Sequence, residues 1–224
     1  MKNIVISIGG SVILSKEADI VFLKNLSNLL TKLSNQYKIF IIVGGGNVAR
    51  RYIQLGRKLN FNEHTLDQIG IDVTRVNAKI LTNILENTNK EIPHATDEAK
   101  NMDDSIVVMG GTTPGHSTDM VGAEIAEKIS ADLFVIATNV DGIYDKDPNK
   151  YDDAKQLKIV KIDELIENHG TRWESAGKNT VIDGPALEII KQARLTTYVV
   201  NGKRLDQLEN AMTSRSFDGT KILN

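Results

Sequence analysis

The chain has 224 residues, of which 41% are hydrophobic and 25% charged, and its formal net charge of −2 gives no reason to expect a nucleic-acid partner. The absence of cysteine excludes disulfides, thiolate catalysis and thiolate metal sites. No apolar run approaches the roughly 20 residues of a membrane span, and the apolar N-terminal stretch is too short for a signal peptide, so we expect a cytoplasmic protein.

Short β-rich runs alternate with helical patterns along the chain. Five runs are apolar at consecutive positions, which predicts strands of a sheet covered on both faces: residues 3–8, 38–43, 105–109, 133–137 and 196–200. Between the strands, apolar residues recur at helical spacing in three stripes: Leu23, Leu26, Leu30 and Leu33; Val48, Tyr52, Leu55 and Leu59; and Val73, Val76, Ile80 and Ile84. The alternation predicts an α/β fold, a three-layer sandwich with a central, mainly parallel sheet and helices on both faces.

Four of the predicted strands end in small, polar or glycine-rich turns. The second strand ends in Gly44-Gly45-Gly46, and Arg50 and Arg51 follow at the start of a helix. The other three turns are Gly9-Gly10-Ser11, residues 110–119 and residues 138–142. Ligands of open α/β sheets bind beyond the carboxyl ends of the strands, and glycine-rich helix starts suit phosphate. Each turn alone could simply pack a helix on a strand, but together they indicate one extended anionic ligand or two ligands side by side.

The 110–119 turn combines glycines with the hydroxyl groups of Thr112, Thr113, Ser117 and Thr118. Ser117 or Thr118 can cap the following helix, whose N-terminus then suits a phosphate. Asp119 close to anions indicates Mg²⁺ or basic side chains nearby, unless it is only a first-turn helix acid. His116 could contact a ligand, whereas the four histidines together lack metal-ligand spacing, so we expect no metal site built by the protein alone.

The motifs together resemble the amino-acid kinase family over nearly the whole chain. Gly9-Gly10-Ser11 is similar to the first glycine motif of that family, Gly44-Gly45-Gly46-Asn47 to the second, and residues 137–148 to its nucleotide-base signature. Within the family, residues 44–52, 66–71 with 75–78, and 110–119 resemble the archaeal-type uridylate kinases. The resemblance implies transfer of the ATP γ-phosphoryl group to UMP, with Mg²⁺ arriving with ATP. It also implies a homohexamer built from dimers through the 23–33 helix or the 66–86 segment.

The resemblance also implies a set of site residues within one domain over residues 1–224. Residues up to about 110 carry the acceptor side and the remainder the ATP side. UMP would contact Gly45, Asp67, Pro114, Gly115, His116, Ser117 and Thr118. Asp67 would accept hydrogen bonds from ribose hydroxyls. ATP would contact Gly9, Gly10, Ser11, Gly46, Arg50, Thr138, Asn139, Tyr144 and Asp147.

The sequence departs from the family pattern at Ser7, two residues before the first glycine pair. Most members carry a lysine there that contacts the transferring phosphate, and a serine hydroxyl cannot neutralise that charge. The candidate replacement cations are Arg50, Arg51, Lys16, Lys146 and Lys178, of which we favour Arg50. Asp119 would orient charged groups rather than act as a base, because a UMP phosphate is already ionised.

Two alternatives stay open at this point. A kinase of the same fold could phosphorylate an amino-acid carboxylate, carbamate or isopentenyl phosphate instead of UMP. Ser7 also leaves room for a non-catalytic nucleotide-binding or storage protein.

Overall fold

The computed structural model describes residues 1–14, 19–169 and 181–224, which form nine strands and nine helices. The strands are β1 Lys2–Ile8, β2 Tyr37–Val43, β3 Ile106–Met109, β4 Leu133–Thr138, β5 Ile143–Tyr144, β6 Gln156–Leu157, β7 Ile159–Lys161, β8 Thr197–Asn201 and β9 Gly219–Leu223. The helices are α1 Gly10–Ile13, α2 Ile20–Ser34, α3 Gly46–Lys58, α4 Glu63–Thr82, α5 Thr96–Lys100, α6 Thr118–Lys128, α7 Ile162–His169, α8 Gly184–Gln192 and α9 Leu205–Met212.

The central layer is one seven-stranded sheet in the order β3-β2-β1-β4-β8-β9-β7. Its neighbouring strands are parallel, except that β8 and β9 run antiparallel. β5 and β6 form a separate antiparallel pair. All five predicted strands are present within one residue of their predicted ends, and the predicted mainly parallel sheet is confirmed.

Both faces of the sheet are covered, as the consecutive apolar residues of its strands require. In β1, Ile4, Ile6 and Ile8 point into one core, which also contains residues of α1, α2 and α9. Val5 points into the other core, against residues of α6 and α8. Since side chains alternate along a strand, Ser7 faces the α6 side with Val5. This alternation brings Ser7 to the helix that carries Asp119.

The three predicted apolar stripes lie on helices, but they differ in what they contact. Leu26, Leu30 and Leu33 of α2 are buried in the core. The stripes of α3 and α4 instead lie largely at the surface, where seven of their members are 37% to 60% exposed: Val48, Tyr52, Leu55, Leu59, Val76, Ile80 and Ile84. α3 packs on α4 through the smaller buried face of Ala49 and Ile53 against Leu66. Among the described helices, none is long and apolar enough to cross a membrane.

The register of the sheet brings the glycine-rich turns to one edge. Ile8 of β1 is paired with Val43 of β2 and with Ala137 of β4, while Ile42 is paired with Met109 of β3. The residues that follow these strands therefore lie side by side at the carboxyl edge of the sheet, where open α/β folds bind ligands.

Candidate active site

The first and second glycine turns are in direct backbone contact. The Gly44 amide donates a 2.8 Å hydrogen bond to the Ile8 carbonyl oxygen. A methyl group on Gly10 would lie 2.3 Å from the Gly44 carbonyl oxygen and 2.4 Å from the Gly46 nitrogen. Gly46 also has a φ of +63°, a conformation that favours glycine. The two turns can approach this closely only because neither carries side chains at the contact.

Arg50 lies over the junction of these two turns. From the first turns of α3, its Nη2 donates to the Ser11 hydroxyl at 2.8 Å and to the Asn47 Oδ1 at 2.7 Å. Both partners are uncharged, and among the described residues no carboxylate pairs with the guanidinium, so its charge is available to an anion held by the turns.

The other candidate cations do not share this position. Arg51 is exposed on α3, and Lys146 pairs with Asp153 at 2.5 Å while its Nζ lies over the Tyr151 ring. Lys16 and Lys178 lie outside the described residues. Arg50 is thus the candidate that the described part of the chain brings to the glycine turns.

The 110–119 turn lies against α4. The Gly115 amide donates to the Asp67 Oδ2 at 2.7 Å, and Gly115 has a φ of +86°. His116 lies with its Nδ1 3.2 Å from the Glu124 Oε1. Pro114, Ser117 and Thr118 are half-buried in the same turn. The structure therefore brings Asp67 and the predicted acceptor residues 114–118 together.

Asn77 of α4 is a site residue that the sequence analysis did not single out. Its side chain is 2% exposed, and its Nδ2 donates to the carbonyl oxygens of Gly44 at 2.8 Å and Gly45 at 3.3 Å. The bond to Gly44 satisfies a carbonyl group of the glycine turn, and the Gly45 carbonyl oxygen also accepts from the Ala49 amide at 3.4 Å at the start of α3. Asn77 lies within the 75–78 stretch that carries the family resemblance, but its residue type alone does not reveal its partner.

Two carboxyl groups lie at the start of α6. The Ser7 hydroxyl donates to the Asp119 Oδ1 at 2.5 Å, and the Ser117 hydroxyl donates to Asp183. Asp119 retains some exposed area, yet its carboxyl is largely desolvated. Desolvation first, and then the nearby charge of Asp183, raise the pKa of Asp119 to about 7. Desolvation also raises the pKa of Asp183.

Asp183 was not predicted as a site residue. It caps α8 by accepting a hydrogen bond from the Ala186 amide at 3.0 Å, and its bond to Ser117 links this cap to the 110–119 turn. The sequence Asp183-Gly184-Pro185 is a helix-start signal, which predicts the cap but not the contact with Ser117.

The predicted ATP residues beyond β4 are spread over a longer surface. Thr138 ends β4 beside Gly9, whose amide donates to the Ala137 carbonyl at 2.9 Å. Tyr144 lies in β5, where desolvation raises its pKa. Asp147 accepts from the Asn149 amide at 3.0 Å, and this bond lowers the pKa of the carboxyl. Within the described residues, no hydrogen bond joins Tyr144 or Asp147 to the glycine turns.

The turn after β4 is held by a network of charged side chains. Asp141 accepts from the Asn201 side-chain Nδ2 at 3.0 Å and lies 3.5 Å from Arg204, which also pairs with Asp218 at 2.6 Å. The Lys158 and Arg204 hydrogen bonds lower the pKa of Asp218 to about 2. These contacts fix the turn that follows Thr138 and Asn139.

Comparison with known proteins agrees with this architecture. The sequence profile of the amino acid kinase family matches residues 2–201. The chain belongs to the amino acid kinase family. A uridylate kinase of Methanobrevibacter smithii is 42% identical over 225 residues, covering 99% of each chain, and one of Pyrococcus abyssi is 43% identical over 223 residues, covering 98% of this chain and 99% of the other.

Solved structures of other proteins share the fold of this amino acid kinase. The crystal structure of uridylate kinase from Archaeoglobus fulgidus has a TM-score of 0.86 at 37% identity and covers 99% of this chain and 100% of its own. A UMP kinase structure from Ureaplasma parvum shares the fold, with a TM-score of 0.79 at 20% identity, and covers 100% of this chain and 99% of its own. The family and the three-layer fold inferred from the sequence are confirmed.

Proposed function

We propose that the chain is a UMP kinase, which transfers the γ-phosphoryl group of ATP to UMP and releases ADP and UDP. The observation that carries the proposal is the interlocked pair of glycine turns with Arg50 over their junction. This arrangement offers backbone N–H groups and one positive charge where the phosphates of two nucleotides would meet. The similarity to uridylate kinases over nearly the full chain supports UMP as the acceptor.

UMP is assigned to the space between α4 and the 110–119 turn. Gly45 would lie against the nucleotide, and residues 114–118 would surround its phosphate and base. Asp67 already holds Gly115 through one carboxylate oxygen, and a carboxylate has enough lone pairs to accept from ribose hydroxyls as well. Acceptors without a ribose would not use Asp67, which favours UMP over the other acceptors of this fold.

ATP is assigned to the turns that follow β1 and β4. Gly9, Gly10, Ser11, Gly46 and Arg50 would contact its phosphates, while Thr138, Asn139, Tyr144 and Asp147 would hold the adenosine part. Tyr144 offers an apolar ring face to a base. Mg²⁺ would enter as the ATP complex, bound mainly by phosphate oxygens. Among the described residues, no cluster of three or more His, Asp or Glu side chains is arranged to hold a metal ion.

The reaction needs alignment and charge neutralisation more than covalent chemistry. A UMP phosphate oxygen forms the new bond to the γ-phosphorus as the bond to the β–γ bridging oxygen breaks, and ADP leaves with that electron pair. Arg50 and the glycine amides would stabilise the charge on the moving group. Ser7 and Asp119 would orient neighbouring groups, since the acceptor oxygen requires no deprotonation.

We also propose that the chain forms a homohexamer built from dimers. The apolar stripes of α3 and α4 support self-association, because single subunits seldom expose contiguous apolar surface of this kind. The 66–86 segment of the predicted interface overlaps the α4 stripe, whereas the α2 stripe is used in the core. The cytoplasmic location and the place in pyrimidine nucleotide biosynthesis stay predictions.

An acceptor panel tests the proposed function. The protein is incubated with ATP, Mg²⁺ and one acceptor at a time, and ADP release is followed in a coupled assay. UMP should give turnover well above CMP, dCMP, an amino-acid carboxylate, carbamate or isopentenyl phosphate. Turnover with another acceptor but not UMP would indicate a different kinase, and UMP binding without ADP release would indicate a non-catalytic binding protein.

A further inference from the structure

One face of α4 is attached to both turns of the acceptor site. Asn77 holds Gly44 and Gly45, as described above, and the Thr74 hydroxyl accepts from the Gly111 amide at 2.7 Å. Arg75 donates from its Nη2 to the Thr112 carbonyl oxygen at 3.2 Å. α4 therefore sets the spacing between the second glycine turn and the 110–119 turn.

At Gly110, where the 110–119 turn begins, the turn and α4 are too close to admit a side chain. A methyl group on Gly110 would lie 2.5 Å from the Thr74 Oγ1 and 2.9 Å from the Arg75 nitrogen. The start of the turn thus touches the helix backbone at the residue that carries the guanidinium. Through its hydrogen bond to the Thr112 carbonyl oxygen, Arg75 therefore helps to position the start of the turn.

Arg75 differs from the other α4 contacts because it is charged and incompletely paired. Its Nε is buried without a hydrogen-bond partner, and no carboxylate of the described residues pairs with the guanidinium. A half-buried cation without an anion is costly. Such a group is stabilised when an anionic ligand binds next to it.

We propose that Arg75 is a specificity-determining residue for the acceptor: it positions the 110–119 turn through Thr112 and supplies positive charge to the anionic acceptor nucleotide. This inference rests on the proposed function, since it assumes that the acceptor lies between α4 and the turn. Arg50 would then serve the junction of the two phosphates, and Arg75 the acceptor alone. Loss of Arg75 should weaken binding of the acceptor nucleotide without affecting binding of ATP.

The test compares Arg75→Gln and Arg75→Lys with the wild type. A matched control is Lys79→Gln, which removes a positive charge one helical turn away on α4, where the exposed Lys79 Nζ donates to the Lys90 carbonyl at 2.7 Å. Steady-state kinetics give KM for UMP, KM for ATP and kcat. Calorimetric titration of UMP without ATP, at low and high salt, gives the acceptor affinity, and thermal unfolding reports on folding.

Arg75→Gln should raise KM and Kd for UMP about tenfold or more, because one charge-assisted hydrogen bond is lost. KM for ATP should stay within about twofold, because the lost interaction is confined to the acceptor. UMP binding should also depend less on salt in this variant. Arg75→Lys keeps the charge but not the planar fork, so its values should lie between those of wild type and Arg75→Gln. Lys79→Gln should match wild type.

An unchanged KM for UMP in Arg75→Gln, or an equal rise in KM for both substrates, would overturn the inference. If Arg75→Gln does not fold, Arg75→Lys provides the test. Wild-type affinity for UMP in Arg75→Lys would contradict the proposed role of the planar guanidinium group. The wild type is measured first. Its failure to phosphorylate UMP would refute the proposed function, whereas wild-type turnover with an unaffected Arg75→Gln refutes only the role of Arg75.

Discussion

Because the two glycine turns are in contact, we expect alanine substitution to have different effects at the neighbouring residues Gly9 and Gly10. A methyl group on Gly10 would lie within 2.6 Å of backbone atoms of Gly44, Gly45 and Gly46, whereas one on Gly9 would be no closer than 3.5 Å to any atom. Gly9 also has a φ of −56° and a ψ of 134°, which alanine adopts readily. Gly10→Ala must therefore push the turns apart, and Gly9→Ala need not.

The size of the effect follows from the overlap. The clashing atoms are backbone and cannot rotate away, so Gly10→Ala should lower the free energy of unfolding by about 3 kcal/mol, the upper end for overpacking. Gly9→Ala should leave it unchanged or raise it by up to about 1 kcal/mol. Under the proposed function, a shift of about 1 Å between the two glycine turns should lower kcat/KM for UMP by about 100-fold.

Urea unfolding followed by circular dichroism measures the first quantity, and the coupled ADP assay measures the second. The pair of variants controls for the general effect of replacing glycine by alanine in this motif. Equal urea midpoints for Gly9→Ala and Gly10→Ala, together with near-wild-type turnover of Gly10→Ala, would refute the idea that the turns interlock.

The remaining predictions concern charge and assembly. The raised pKa of Asp119 means that the folded protein keeps a proton which the unfolded chain releases near pH 4. The free energy of unfolding relative to Asp119→Asn should therefore fall as pH rises from about 4 to 7 and then level off. A difference between the two proteins that does not depend on pH would contradict this. Arg50→Ala should lower kcat more than it weakens UMP binding, and unchanged turnover would exclude Arg50 as the replacement cation. Leu55→Glu should reduce the oligomer mass in light scattering while Gln54→Glu, an adjacent exposed position, should not; equal masses would argue against the α3 stripe as an interface.

The sheet could be predicted from the sequence because its main strands are apolar at consecutive positions. The strands that were missed are short or polar. β6 has two residues and β7 has three, while β9 contains Gly219 and the exposed Lys221. Such strands form because a neighbouring edge is available, here β8 for β9 and β9 for β7. This information is tertiary and leaves no periodic pattern in the sequence.

Some features of the candidate site could likewise be predicted from the sequence, and others could not. The glycine turns follow directly from strand ends, so their meeting at one edge could be predicted from a parallel sheet. The side chains that hold them come from α4, which is distant in sequence from Gly44 and Gly111. The apolar stripe that helical periodicity identifies on α4 lies largely at the surface, whereas Thr74 and Asn77 are buried. Both are polar, so the sequence pattern does not reveal that this face contacts backbone groups of two turns. The orientation of the α3 and α4 stripes was likewise unreadable, because a stripe at a subunit interface has the same spacing as one in a core.

The residue at position 7 affects the charge of Asp119. Ser7 is 1% exposed and faces α6, where its hydroxyl donates to the Asp119 carboxylate. A lysine at this position would place a positive charge beside Asp119 and hold the pKa of the carboxyl down, whereas serine supplies a neutral donor and the pKa stays near 7. The loss of a positive charge at position 7 is thus accompanied by a partial loss of negative charge at position 119. The net charge of this pair changes less than the substitution alone suggests, which is compatible with the proposed role of Arg50 as the source of positive charge for phosphoryl transfer.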